Sequence, residues 1–258
     1  MNPKDRIIVA LDVNDLDKAK TLVEMLTDYV GGFKIGLELI CLMLASIISP
    51  PGGDDGDTEA RRNFRKIRDL FSVLDIKKVF WDGKFDDIPN TVGAAARIVA
   101  GMGVKMFNVH ASAGIDAMGA AALAAAAESK GKSLVLAVTV LTSREENEAN
   151  LTFGGPTKAR VLQYAREAKL AALDGTISSP QELSLLGKRK ELAGQVRVTP
   201  GIRSSDAPTD DQKRTMSAGE AIKAGADYLV IGRPITAAPD PVEAAKKIAE
   251  EIAAALGE

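Results

Sequence analysis

Eight short apolar runs, each trailed by a helical pattern, predict a (β/α)8 TIM barrel for this 258-residue chain. Three observations carry that expectation. The runs are apolar throughout rather than alternating, as in parallel strands covered on both faces. The length suits a closed α/β barrel, usually about 250 residues. The turn after the first run, Leu11-Asp12-Val13-Asn14, lacks the glycines that an open dinucleotide-binding sheet places there. Residues 1–258 are therefore expected to form a single domain with its active site at the C-terminal rim of the strands.

Taken in order, strands are predicted near 6–12, 32–36, 77–84, 104–110, 133–141, 174–178, 195–200 and 227–232. The first holds Ile7 to Leu11. A helix follows, with Ala19, Leu22, Val23, Leu26 and Val30 at helical spacing and a start signal around Asn14. After Phe33 to Ile35 the pattern lengthens. Cys41 to Arg68 reads as an insertion that extends the second crossover, with a turn-rich acidic loop at Pro50 to Asp57 and a charged helix from Thr58 to Leu74. Val79 to Trp81 opens the third strand, and Pro89 suits the first turn of the helix behind it. Met106 to Val109 comes next, then a tightly packed outer helix over Ala120 to Ala127. Leu134 to Leu141 reads as one strand, followed by a polar loop from Ser143 to Pro156. Gly175 to Ile177 and Val196 to Val198 precede a second polar loop, Ser204 to Met216, with Ser217 as a helix start. Tyr228 to Ile231 is the last strand. Val242, Ala245, Ile248, Ile252 and Ala255 mark the last helix.

Composition narrows the function. With 46% hydrophobic and 26% charged residues the chain can bury a large core, and a net charge of −2 gives no bulk attraction to nucleic acid or acidic membranes. Any anion must be held by local geometry. A single cysteine, Cys41, excludes an internal disulfide, and with His110 the sole histidine a conventional metal cage is not expected. The first residues lack the features of a signal peptide, and the apolar stretch from Leu39 to Ile48 is too short to span a bilayer. The cytoplasm is the expected compartment.

The chemistry concentrates in Trp81 to Thr91. Asp82, Lys84, Asp86 and Asp87 crowd behind a buried strand. Side chains alternate in an extended chain, so Asp82 and Lys84 face the same way, while Asp87 follows a turn later and can reach that region from its own subunit or a neighbour. Such a cluster is costly to desolvate, and a rim-closing ion-pair network would return little stability for it. Proton chemistry on an anionic substrate is the better account. Other strand ends deliver Asp12, Lys34, His110, Thr142, the run Thr199 to Arg203, and Gly232-Arg233. Singly, each has a plain alternative. Asp12 could cap a helix, Lys34 could snorkel at the rim, His110 suits a structural role, and Arg233 could be an exposed ion pair. Position favours a phosphate site at Gly232-Arg233, since these barrels often hold phosphate after strands seven and eight, with Gln212 as an amide donor.

Together these residues resemble the orotidine 5′-phosphate decarboxylase family. The likeness rests on VALD (Val9 to Asp12), FKIG (Phe33 to Gly36), the run from Asp82 to Thr91, NVHA (Asn108 to Ala111), TVLTS (Thr139 to Ser143), TPGIR (Thr199 to Arg203), DDQKR (Asp210 to Arg214) and IGRPIT (Ile231 to Thr236), in order across nearly the whole chain. The resemblance implies cofactor-free decarboxylation of orotidine 5′-monophosphate to uridine 5′-monophosphate, the last step of UMP synthesis, in a homodimer. It implies Lys84 as proton donor to ring carbon six, with Asp82 and the partner subunit's Asp87 flanking the departing carboxylate. Lys34 completes the charged array and, with Asp12, holds the ribose. Thr91 from the partner also reaches the ribose, Ile88 lines the carboxylate pocket, and Thr142 reads the pyrimidine edge. Gln212, Gly232 and Arg233 grip the phosphate, with Arg203 on the closing loop. The chain departs from the family pattern at Gly83, at the extra acid Asp86, at Ser178 where many members carry cysteine, and in the 41–68 insertion.

Physical reasoning agrees with this assignment. Loss of carbon dioxide from the ring leaves an sp² carbanion without a nearby electron sink, and an ammonium held by acids can neutralise and then protonate it. Two rivals remain at the level of sequence. A magnesium-dependent sugar-phosphate decarboxylase or aldolase of the same superfamily would place a glutamate where Lys34 stands. A catalytically silent nucleotide-binding barrel would tolerate loss of Lys84, Asp82 or Asp87.

Overall fold

The computed structural model describes residues 1–48, 59–203 and 215–257. Eight parallel strands close into a barrel in chain order: β1 (Ile7–Ala10), β2 (Gly32–Ile35), β3 (Val79–Phe85), β4 (Met106–His110), β5 (Leu134–Val138), β6 (Gly175–Ile177), β7 (Val196–Thr199) and β8 (Tyr228–Ile231). The last strand pairs back onto the first, Val9 lying opposite Ile231. Between the strands run α1 (Leu16–Leu26), α2 (Leu37–Ile48), α3 (Glu59–Val73), α4 (Pro89–Gly101), α5 (Ile115–Ser129), α6 (Glu146–Phe153), α7 (Thr157–Leu170), α8 (Leu183–Gly187), α9 (Ala218–Lys223), α10 (Arg233–Thr236) and α11 (Pro241–Leu256). Residues 41–48 of the predicted insertion fall in α2 and residues 59–68 in α3, whereas its acidic loop lies outside the described residues. Among the described residues no helix is long and apolar enough to cross a membrane.

Strand periodicity builds two cores at once. Alternate residues point inward, where Ile8, Ala10, Phe80, Met106, Leu136, Val138, Ile177, Val198, Tyr228 and Val230 fill the barrel. Their neighbours, among them Ile7, Val9, Phe33, Ile35, Phe107 and Val109, pack outward against the helices. Both faces are buried, which is why these strands read as continuous apolar runs. Close strand contact at β6 depends on glycine: a Cβ on Gly175 would stand 2.0 Å from the Val196 carbonyl oxygen. The alanine-rich α5 packs tightly on α4, with Ala120 against Gly93.

Three local expectations change. The run from Leu134 does not stay a strand to Leu141. It ends at Val138, opposite the last residue of β6; the N–H and the hydroxyl of Thr139 both donate to the Ile177 carbonyl there, at 3.1 and 2.9 Å. The predicted polar loop Ser143 to Pro156 contains α6. That helix buries Ala149, sets Phe153 edge-on to Tyr164 at 5.9 Å, and ends at Gly154 with φ 69°. So small an apolar face leaves almost no periodic trace. The cap of α1 is Asp15, one residue beyond Asn14; its Oδ1 accepts from the Asp17 and Lys18 amides. Ser217 does cap α9, in a reciprocal box with Glu220.

Candidate active site

Extending the inward periodicity by one step past the apolar layer converts each strand end from packing to chemistry. Two residues beyond Ala10 stands Asp12, two beyond Gly32 stands Lys34, two beyond Phe80 stands Asp82, and two beyond Met106 stands Asn108. The parallel register sets these on adjacent staves, with Ala10 opposite Lys34, Lys34 opposite Phe80, and Phe80 opposite Met106. They line a cavity of about 390 Å³ at the C-terminal rim, with Lys84, Thr142, Arg203, Gly232 and Arg233 also in its wall. That volume suits a mononucleotide-sized ligand.

The charges form one connected chain. Lys34 Nζ donates to Asp12 Oδ1 at 2.7 Å and lies 3.1 Å from Asp82 Oδ2. Lys84 Nζ donates to Asp82 Oδ1 at 2.7 Å. Asp82, buried, thus bridges two ammonium groups, one on each oxygen. Burial alone would push the Asp82 carboxyl up, but the Lys34 and Lys84 charges and the hydrogen bonds from Lys84 and Asn108 outweigh it and hold it below the usual carboxylate range. Burial would likewise lower Lys34, yet its two carboxylate partners raise it above an ordinary lysine. Both groups are therefore fixed in their ionised forms. Glycine overhead leaves the pair room, because a Cβ on Gly36 would stand 2.7 Å from Lys34 Nζ and 2.8 Å from Asp12 Oδ1 and would displace one of them. Asp12, with its side chain half in solvent, completes the lysine's coordination instead of capping α1.

Lys84 occupies an unusual backbone position. Its φ is 49°, the left-handed region that costs a side-chain-bearing residue about 1–2 kcal/mol. The register between β3 and β4 shifts between Trp81 and Phe85, so β3 bulges where the amine is presented. Gly83 lies inside the strand as it continues to Phe85. At the opposite wall, Gly232 and Arg233 open α10, and Gly232 accepts through its carbonyl from the Ile235 and Thr236 amides. Arg203, half-buried, follows β7, with its N–H bonded to the Met216 carbonyl at 3.0 Å. Thr142 is buried after β5.

Asp87, Ile88 and Thr91 do not line this cavity. All three are exposed on the β3–α4 turn and the first turn of α4, Ile88 at 65%, and Asp87 Oδ1 accepts from the Ile88 amide at 2.6 Å. Asp86 turns away too, accepting from the Ser112 hydroxyl at 3.0 Å. His110 is half-buried, and burial depresses its pKa against the opposing pull of Asp86. Gln212 lies outside the described residues. Sequence reasoning missed Asn108, which is fully buried beside the charged chain. Its signal was available: one carboxamide inside the apolar run Met106-Phe107-Asn108-Val109.

A mononucleotide-sized cavity at the rim of a (β/α)8 barrel, walled by a lysine–aspartate–lysine chain and a Gly-Arg helix start, has the form of an enzyme site for a small anion. Comparison with known proteins makes the class specific. The model of the orotidine 5′-phosphate decarboxylase / HUMPS family matches residues 5–248, and the chain belongs to that family. It is 42% identical to the orotidine 5′-phosphate decarboxylase of Moorella thermoacetica, over 98% of this chain and 94% of that one. It is 40% identical to the protein of the same name from Heliobacterium modesticaldum, over 99% of each. The crystal structure of orotidine 5′-phosphate decarboxylase from Lactobacillus acidophilus superposes with a TM-score of 0.73 at 29% identity, covering 95% of this chain and 98% of that chain.

Proposed function

We infer that this protein is a carboxy-lyase that converts orotidine 5′-monophosphate to uridine 5′-monophosphate and carbon dioxide, the closing step of UMP synthesis. The observation that carries this reading is Asp82 held between the Lys34 and Lys84 ammonium groups at the cavity wall. As the bond from ring carbon six to the carboxylate breaks, its electron pair stays on carbon six. The Lys84 ammonium stabilises that charge and transfers a proton to the same carbon, and the neutral amine recovers its proton from solvent. Asp82 fixes the amine and stands beside the leaving carboxylate. Lys34 and Asp12 hold the ribose hydroxyls, Thr142 reads the pyrimidine edge, and Gly232, Arg233, Arg203 and Gln212 bind the phosphate. Binding energy from the phosphate, remote from the bond that breaks, serves the reacting carbon.

The active form is a homodimer in which the partner supplies Asp87 and Thr91 to each cavity, and Ile88 helps line the carboxylate pocket. Support comes from their placement: three exposed residues shortly after Lys84 in sequence, with the large apolar side chains of Ile88 and Ile98 also exposed, at 65% and 70%. The chain works as one barrel domain, without metal or organic cofactor. The cytoplasm is its assigned compartment, in keeping with a lone cysteine.

The family's name also covers HUMPS enzymes, so a magnesium-dependent sugar-phosphate enzyme is the alternative function. Lys34 Nζ lies between Asp12 and Asp82, and its charge would repel a divalent cation held by those two carboxylates. Purified protein should therefore consume orotidine monophosphate, followed by its absorbance, at the same rate with and without EDTA. Inhibition by EDTA that magnesium reverses would move the assignment to the sugar-phosphate class. Lys84→Ala should lower turnover by roughly a thousandfold or more with product affinity little changed.

A further inference from the structure

We propose that Asn108 is a positioning residue that holds the proton-donating amine of Lys84 in place through both its backbone and its counter-ion. The inference rests on Lys84 being the donor. Asn108 Oδ1 accepts from the Lys84 backbone N–H at 2.7 Å, and Asn108 Nδ2 donates to Asp82 Oδ1 at 2.6 Å. That same Asp82 oxygen receives Lys84 Nζ at 2.7 Å. A single carboxamide thus closes a ring that runs from the Lys84 amide, through Asn108 and Asp82, back to the Lys84 side chain.

The ring answers a physical need. Lys84 sits at φ 49°, where the backbone is strained, and the β3–β4 register is broken around it. The Asn108 oxygen takes up its N–H where the ladder is interrupted, and so pins the strained conformation. On its other side the amide nitrogen steers the Asp82 carboxylate, so the oxygen that meets Lys84 Nζ is set before substrate arrives. Chemistry fixes the amide's orientation: an N–H needs an acceptor and a carboxylate needs a donor. Aspartate here would add a second buried carboxylate beside Asp82, and alanine would leave both groups unpaired. Asn108 is 0% exposed, so water cannot stand in without entering the site.

Two variants test this. Asn108→Ala should lower kcat by about 100-fold, the cost of displacing a reacting group by about 1 Å, with KM held within about threefold. Asn108→Asp is the sharper probe. Ionised, its carboxylate can accept from the Lys84 N–H but repels Asp82; protonated, it has a carbonyl oxygen for Lys84 and an O–H for Asp82, reproducing the amide. Burial and the neighbouring charge raise the pKa of that carboxyl. This variant should be slow at about pH 8 and regain kcat as pH falls toward about 6, over a range where the wild-type protein gains none. Circular dichroism at each pH separates this from unfolding. If Asn108→Ala keeps a kcat within twofold of wild type, or if Asn108→Asp follows the wild-type pH profile, the positioning role is wrong. Loss of the donor assignment looks different: Lys84→Ala would then still turn over.

Discussion

At the scale of single residues, Asp82 is the group on which both stability and chemistry converge. Its folded-state pKa is depressed, so its contribution to stability is present above its ordinary value of 3.8 and is lost as pH falls through the folded value. Lys34 has a raised pKa, so its contribution is present below 10.5 and is lost as pH rises through the folded value. Between those limits both charges stabilise the fold. Asp82→Asn should then be about 3 kcal/mol less stable than wild type at neutral pH, because it leaves the buried Lys34 short of a counter-charge. Urea unfolding across a pH series should show this gap begin to close as pH falls below 3.8, the ordinary value, and vanish as pH passes through the depressed folded value. A gap that stays constant through the acid range would mean the carboxylate is not coupled to its cations. Most of this network was legible in the sequence, since Asp82 and Lys84 alternate onto one face. The left-handed turn at Lys84 was not, and although a carboxamide inside an apolar run marks Asn108 as unusual, the groups it joins were not legible either. A strand pattern records which way a side chain points, but not which backbone N–H the next strand leaves unpaired.

Among the elements, the strands were readable because burial on both faces leaves unbroken apolar runs, and eight such runs became eight staves. What could not be read was where a run stops being a strand, as at Val138, or how little apolar surface suffices for α6. Both outcomes are tertiary: Thr139 is captured by β6, and α6 is held by Phe153 on Tyr164. The same closeness makes β6 sensitive. With a Cβ at Gly175 aimed at the Val196 carbonyl, Gly175→Ala must push β7 outward and break the Gly175–Val196 register. The expected cost is about 3 kcal/mol, or roughly 6–12 °C in Tm for a chain of this size. Because β7 leads into Pro200 and Arg203, which line the cavity, KM should rise as well. A thermal scan that shows Gly175→Ala within 2 °C of wild type would mean the barrel wall yields there at little cost.

For the molecule as a whole, the question is where the second acid comes from. One chain provides Asp82, Lys84 and Lys34 in its cavity, but leaves Asp87 and Thr91 exposed on a turn that does not line it. Strand β3 ends at Phe85, and nothing in a linear pattern says whether the following turn serves its own barrel or a neighbour's. The proposed two-fold dimer would resolve this, because an isologous interface would deliver the same turn to both partners. The consequence can be measured with two inactive variants, Lys84→Ala and Asp87→Ala, co-expressed with different tags and purified as the hybrid. If Asp87 acts across the interface, one cavity of the hybrid combines an intact Lys84 from one chain with an intact Asp87 from the other, and the second cavity lacks both. The hybrid should then show about half the wild-type rate per dimer. If Asp87 serves its own chain, each cavity carries one lesion and the hybrid is as inactive as its parents.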